Sequence, residues 1–329
     1  MDDSLNPVSL PSAPTPQPEP AKAERGIDHR DEHFHRLPAW IQGVNAMAVV
    51  LPFAGIILAA VLLWGWGFSW VHAGILAGMY LVTAVGITVG YHRLFTHKSF
   101  ETGRIMTSIM AVLGAMALEG PVLKWVATHR LHHQHSDDHA DPHSPHHHGE
   151  GIIGMLMGLY HAHMGWLLRG DPKKLYRYVP DLSQDRLIRV LSDYWFLWFI
   201  IGLIIPTVLG GLLTMSWWGA FLGFVWGGLV RVFLVHHVTW SINSVCHMWG
   251  TRPFASHDES RNNVIFGILG LGEGWHNNHH AFPTSARHGL RWWEFDASYI
   301  LIRVMEKLGL AWNVRVPSKQ RLEAKANDR

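Results

Sequence analysis

Four windows of predominantly apolar residues, 44–64, 70–90, 195–213 and 217–235, constrain this chain more than any other feature. A helix needs about 20 such residues to cross the hydrocarbon core of a bilayer, where every backbone polar group must be satisfied within the segment. The windows come in two pairs. Gly65-Trp66-Gly67-Phe68-Ser69 joins the first pair and Thr214-Met215-Ser216 the second, and neither connector contains Lys or Arg. Every Lys and Arg except Arg231 lies outside the windows. The positive-inside rule then predicts two helical hairpins with both termini and the long polar middle in the cytoplasm. The expectation is an all-α, multi-pass integral membrane protein of a bacterial cytoplasmic membrane. Arg231 is expected to snorkel or to face a cavity. A shorter apolar stretch, 105–118, is too short to span and reads as an in-plane helix or the wall of a tunnel.

Composition narrows the function. Only 16% of residues are charged, against about 25% in an ordinary soluble domain. The net charge of +2 gives nucleic-acid binding no electrostatic support. The single cysteine, Cys246, excludes an intrachain disulfide and thiolate metal clusters. Residues 1–36 are polar, begin with a Pro- and Ser-rich run, lack the apolar core of a signal peptide and read as a disordered tail. Residues 37–317 read as the membrane domain and 318–329 as a polar C-terminal tail. The excesses are 25 His and 17 Trp. Histidine is the commonest metal ligand, and tryptophan favours membrane interfaces and apolar tunnels.

The histidines are not scattered. His92-Arg-Leu-Phe-Thr-His97 follows the second window, His129-Arg-Leu-His132-His133 lies in the polar middle, and His276-Asn-Asn-His279-His280 follows the fourth window. Residues i, i+3 and i+4 share a helix face, so each triplet aims its imidazoles one way. With the first pair this makes eight side chains, enough for two metals in a cytoplasmic helical cap. No H-E-x-x-H zinc-protease helix is present, and the paired Glu-x-x-His elements of a carboxylate di-iron site are missing. Such donors suit iron, copper, nickel or zinc. If the substrate is an alkyl chain, breaking an unactivated C–H bond favours iron with dioxygen.

The box pattern H-x4-H, H-x2-H-H, H-x2-H-H resembles that of the membrane fatty acyl desaturases, most closely the stearoyl-CoA Δ9 type. Further segments carry the likeness: Gly86-Ile-Thr-Val-Gly-Tyr-His92-Arg-Leu, His139-Ala-Asp-Pro-His143, Gly165-Trp-Leu-Leu, Thr239-Trp-Ser-Ile-Asn243-Ser-Val-Cys-His247 and Gly272-Glu-Gly-Trp-His276. The resemblance implies nine ligands to two irons, His92, His97, His129, His132, His133, His247, His276, His279 and His280, with Asn243 reaching metal through water. It implies a cis double bond, at Δ9, placed in a long saturated acyl chain, with dioxygen as co-substrate and water as the other product. Without a fused cytochrome b5 domain, electrons are expected from a separate ferredoxin, cytochrome b5 or rubredoxin. Members acting on acyl-CoA tend to carry Arg-Asp before the second box; here Ala127 and Thr128 stand there, and Arg169, Lys173 and Lys174 only loosely echo a second basic pair. Acyl-CoA, lipid-bound acyl and acyl carrier protein therefore stay open as carriers. The extra histidines of His143-Ser-Pro-His146-His147-His148 read as a solvated loop, with a peripheral metal-capture site as the alternative.

A tunnel is expected to lead from the metals toward the membrane. Trp125 and Trp240 stand near ligands in sequence and are candidates for its wall. Ala84 and Tyr80, eight and twelve residues before His92, fall near one helical face and match the positions that close the far end in the resembling family. Two rival functions remain: a membrane di-iron alkyl or lipid hydroxylase, whose boxes usually contain Glu, and a His-rich metal transporter or storage protein. The latter needs ligands within the spans, and only His72 lies inside a window.

Overall fold

The computed structural model describes residues 34–35, 37–64, 67–172 and 174–327. The expected disordered tail, 1–36, lies outside the described residues except for Phe34 and His35, which pair antiparallel with Asp171–Pro172. The chain is largely helical. Ten of its helices are labelled here: α1 (Ala39–Trp64), α2 (Trp70–Thr96), α3 (Arg104–Ala115), α4 (Val122–His135), α5 (Gly151–Tyr160), α6 (Trp195–Thr214), α7 (Trp217–His247), α8 (His276–Ala281), α9 (Ala297–Lys307) and α10 (Lys319–Lys325).

Four of them, α1, α2, α6 and α7, are long and apolar enough to cross a membrane. Their outward faces are apolar, with Val50, Ile57 and Val61 on α1 and Ile204, Val208 and Leu212 on α6 exposed. The helices α2 and α7 are the inner pair, and α1, α2 and α6 all pack against α7. Between apolar helices in lipid, close packing replaces the hydrophobic effect as the source of adhesion. A side chain at Gly210 of α6 would lie 2.3 Å from the carbonyl oxygen of Gly219 on α7, so only glycine allows that approach. The helices outlast their apolar windows: α2 runs past residue 90 and α7 past residue 235, carrying His92, Asn243 and His247 on their final turns.

Arg231 does not snorkel. It is fully buried in α7 and donates to three backbone carbonyls, those of Met116 (2.6 Å), Gly202 (3.0 Å) and Gly227 (3.2 Å). It thereby ties α7 to α6 and to the C-terminal end of α3. The stretch expected as an in-plane helix or tunnel wall forms α3 and the turn after it, and α3 packs on α2. His72, the one histidine in an apolar window, is buried and hydrogen-bonded with Ser69 (2.8 Å) and the Gly219 carbonyl (3.3 Å), a structural pair rather than a transport site.

Buried Ile87, Tyr91, Phe95, Val122, Val126, Ile188 and Ile302 form one core joining α2, α4 and α9. Burying one such aliphatic or aromatic side chain contributes about 1.5–3 kcal/mol. The segment 318–329 carries α10, and its backbone bridges back: Ala255 N–H donates to Lys325 O (2.7 Å) and Asn327 N–H to Pro253 O (3.0 Å). Lys325 Nζ donates to the carbonyl of Ala281, the last residue of α8 (2.8 Å).

Candidate metal centre

The first histidine pair depends on a local helix defect. On an α-helix, five residues turn about 500°, which leaves two side chains about 140° apart. Over Gly86–Thr96, however, the chain is a π-helix, whose i→i+5 ladder stacks such pairs. His97 N–H donates to His92 O at 3.1 Å, and the two rings lie 4.8 Å apart. Both imidazoles enter the same cluster.

The two triplets behave differently from a simple shared face. Residues i and i+4 are about 40° apart around a helix, while i+3 lies about 100° from i+4. Accordingly His129 and His133 of α4 join His92, His97 and His279, whereas His132 joins His247, His276 and His280. Within each group the ring nitrogens lie within 4.8 Å of one another. Each triplet thus feeds both groups, and α4 and α8 are cross-linked through them. The nine histidines of the expected ligand set are all present, all buried or half-buried, and divided five and four.

The donor set fits a pair of metal ions. In the five-membered group His92 Nε2 and His279 Nε2 are 3.0 Å apart, His279 Nε2 and His133 Nε2 2.8 Å, and His133 Nε2 and His129 Nε2 3.2 Å. In the four-membered group His247 Nε2 and His276 Nε2 are 3.0 Å apart. Nitrogens bound at ~2.1 Å and at right angles around one ion would be about 3 Å apart. The buried Nε2 atoms of His97, His132 and His280 have no protein partner. Burial drives His97 down to about 3, and drives His129, His133, His276, His279 and His280 well below the ordinary histidine value, with neighbouring imidazoles adding to the effect. These rings are neutral at pH 7, the form that ligates.

Carboxylates stand behind four of the nine rings. His132 Nδ1 is 3.0 Å from both oxygens of Asp141, and His247 Nδ1 is 2.8 Å from Asp137. His280 Nδ1 pairs with Asp258 and His92 Nδ1 with Glu273. The three aspartates are held ionised and accept only, so Nδ1 of His132, His247 and His280 carries the hydrogen and each Nε2 is left with a lone pair. Burial works to raise Asp141 and Asp258. The facing His132 and His143 hold Asp141 down to about 2, and Ser260 and His247 hold Asp258 at about 2. Glu273 also faces Arg93 at 2.8 Å, and Arg93 is paired in turn with Asp296 at 3.1 Å. Asp296 accepts from the backbone N–H of His288 (2.7 Å). The His288 ring is fully buried 4.4 Å from that of His279.

A largely apolar cavity of about 390 Å³ reaches the centre. His92, His129 and His276 stand in its wall, as do Asn243, Trp125, Trp240, Ala84 and Tyr80. The four tunnel candidates therefore line one space, together with Trp40 and Val44 of α1. Trp125 Nε1 donates to Glu119 Oε2 (3.0 Å), whose carboxyl burial pushes up to about 7. Tyr80 Oη donates to the Leu269 carbonyl (2.7 Å).

Two readings need amendment. His143 does not belong to a solvated loop: it is buried, lines the cavity and sits 3.6 Å from Asp141. The turn folds inward there because Asp141 accepts both the His143 backbone N–H (3.0 Å) and that of Asp137 (2.9 Å). Only from His146 onward does the loop approach solvent. The backing carboxylates also escaped the sequence reading. Asp141 stands within the quoted His139-Ala-Asp-Pro-His143 segment and Glu273 within Gly272-Glu-Gly-Trp-His276, which were signals. Asp258 has no such signal, since the tertiary fold alone brings it to His280.

A model of the fatty acid desaturase family matches residues 68–315. The hex-5-enoyl-[acyl-carrier protein] acetylenase of Moorena producens (strain JHB) is 48% identical over 279 residues, covering 84% of this chain and 87% of the relative. The sn-1 stearoyl-lipid 9-desaturase of Anabaena variabilis is 38% identical, covering 77% of this chain and 87% of its own. The acyl-CoA C20 Delta5-desaturase of Anemone leveillei is 37% identical, covering 77% and 76%. The chain belongs to the fatty acid desaturase family, whose members are oxidoreductases acting on acyl chains.

Proposed function

We propose that this protein is an oxygen-dependent desaturase that places a cis double bond, at Δ9, in a long saturated acyl chain. The observation that carries the reading is the pair of buried imidazole groups, five and four, beside an apolar cavity. In this reading the nine histidines hold two iron ions, Asn243 reaches one of them through water, and the centre faces the cytoplasm. When bound, the two irons with dioxygen supply the oxidant that removes one hydrogen from each of two adjacent methylenes.

The chain's own residues then do three things. Trp125 and Trp240 confine the acyl chain beside His92, His129 and His276, so that one carbon pair is presented. Ala84 and Tyr80 line the same cavity, and in this reading they set how much chain fits beyond that pair. The buried apolar walls keep bulk water from the reacting carbons. Electrons come from a separate ferredoxin, cytochrome b5 or rubredoxin. The relatives' printed names include carrier-protein, lipid and CoA carriers. The absence of Arg-Asp before the second box, with Ala127 and Thr128 there instead, favours a lipid-bound acyl chain over acyl-CoA.

One observation favours a second reading. The relative at 48% identity is an acetylenase, so an existing double bond is the alternative substrate. Gas chromatography with mass spectrometry of the lipids of an expressing host separates the two. Monounsaturated chains with a cis Δ9 bond support the first reading, alkynes the second, and hydroxylated chains would overturn both.

A further inference from the structure

The two groups of imidazoles are backed unequally. In the four-histidine group, three of the four rings carry an aspartate on the far nitrogen: His132 with Asp141, His247 with Asp137 and His280 with Asp258. In the five-histidine group, among the described residues, only His92 has a backing carboxylate, Glu273, which is itself paired with Arg93 at 2.8 Å. His279 Nδ1 in that group is buried without a partner. The aspartates are themselves fixed. Asp137 also accepts the Glu259 backbone N–H (2.8 Å), Asp141 that of His143 (3.0 Å), and Asp258 that of Ser260 (3.1 Å). Arg252 and Arg261, the cations nearest this side in sequence, both pair with Glu259, and among the described residues no Lys or Arg pairs with the three aspartates.

We propose that the two metal positions differ in affinity: the four-histidine position holds its ion tightly, and the five-histidine position is the exchangeable one. A carboxylate behind a ligating imidazole fixes the tautomer, orients the ring and strengthens it as a donor. Losing one such partner typically lowers affinity about 10–100-fold. The four-histidine position has two more of these partners than the other, which outweighs the single extra neutral imidazole opposite. Three aspartate charges also face that dication across buried, low-dielectric surroundings, whereas the other ion meets the Arg93–Glu273–Asp296 chain, where one arginine offsets one of the two carboxylates. The inference rests on the reading of the two groups as a two-metal centre.

The test is timed metal release. Detergent-purified protein is loaded anaerobically to saturation with ferrous iron, counted per chain, and mixed with a ferrous chelator. A count of two per chain upholds the two-metal reading, and a lower count at saturation overturns that reading by itself. Release is expected in two equal phases, about tenfold or more apart in rate. Asp137→Asn and Asp258→Asn keep the side-chain size but remove a charge, and should speed the slow phase about 10–100-fold. Glu273→Gln should change only the fast phase. Wild-type release in a single phase from a two-iron protein would overturn the inequality. So would aspartate variants that alter only the fast phase. Gel filtration and far-ultraviolet circular dichroism identify any variant that fails to fold, and the wild-type phases decide the matter without it.

Discussion

Arg231, fully buried in a long apolar helix, donates through Nη1 to the carbonyl oxygen of Met116 at 2.6 Å. Met116 follows the last turn of α3, where helix carbonyls lack intrahelical partners. The second guanidinium nitrogen serves Gly202 O in the middle of α6, near Pro206, whose missing N–H leaves the Gly202 carbonyl without its usual i+4 donor. One cation therefore satisfies two carbonyls that helical geometry abandons.

Replacing Arg231 should consequently weaken the helix assembly rather than the chemistry. Each buried acceptor left unsatisfied costs about 1–3 kcal/mol. Arg231→Met, which retains much of the length, is expected to lower the thermal midpoint in detergent by several degrees. Iron bound per folded chain should stay unchanged. A variant with wild-type stability would remove the bracing role.

The division of the triplets predicts that no box is dispensable. His132→Ala removes a member of the four-histidine group and His279→Ala one of the five. Each should lower iron content and abolish product formation. Because α4 and α8 each contribute to both groups, losing one ring disturbs the other ion as well. Iron by inductively coupled plasma spectrometry and double-bond analysis of lipids are the measurements. Full activity in either variant would sink the ligand assignment.

Chain length should respond to Ala84. It lies in the wall of the cavity, on the helix that carries His92 and one turn beyond Tyr80. A larger side chain shortens the space available to the methyl end, and overfilling a packed space costs about 1–3 kcal/mol. Ala84→Ile or Ala84→Phe is expected to raise the C16:1 to C18:1 ratio by roughly tenfold. The ratio is read for wild type and variant in one host at matched expression. An unchanged ratio would take Ala84 out of the length-setting role, and lost expression would favour a role in helix packing.

Orientation is testable with thiols, since the native Cys246 is buried. A cysteine placed at Phe68, between the first two long helices, should react with an impermeant maleimide from outside intact cells. A cysteine at His147 should react only after the membrane is opened. The reverse pattern would overturn the cytoplasmic placement of the metal centre.

What the sequence by itself determined was local and periodic. Apolar runs of bilayer length marked all four long helices, because helix length and hydrophobicity are properties of a contiguous segment. The spacing His129-x-x-His132-His133 announced a metal face for the same reason. The tertiary structure decided what depends on segments distant along the chain. His92 meets His279 across 187 positions, and Asp137 meets His247 across 110. No periodicity encodes such meetings. The π-helix at Gly86–Thr96 brought His97 beside His92, which α-helical spacing would have set apart. The meeting of α4 and α8 histidines split each triplet between two groups, and Asp141 drew His143 inward. Arg231 became a brace only because the end of α3 and the Pro206 break within α6 offered it carbonyls. In each case the residue type was legible in the chain, while its partner was set by which backbones the long helices let approach one another.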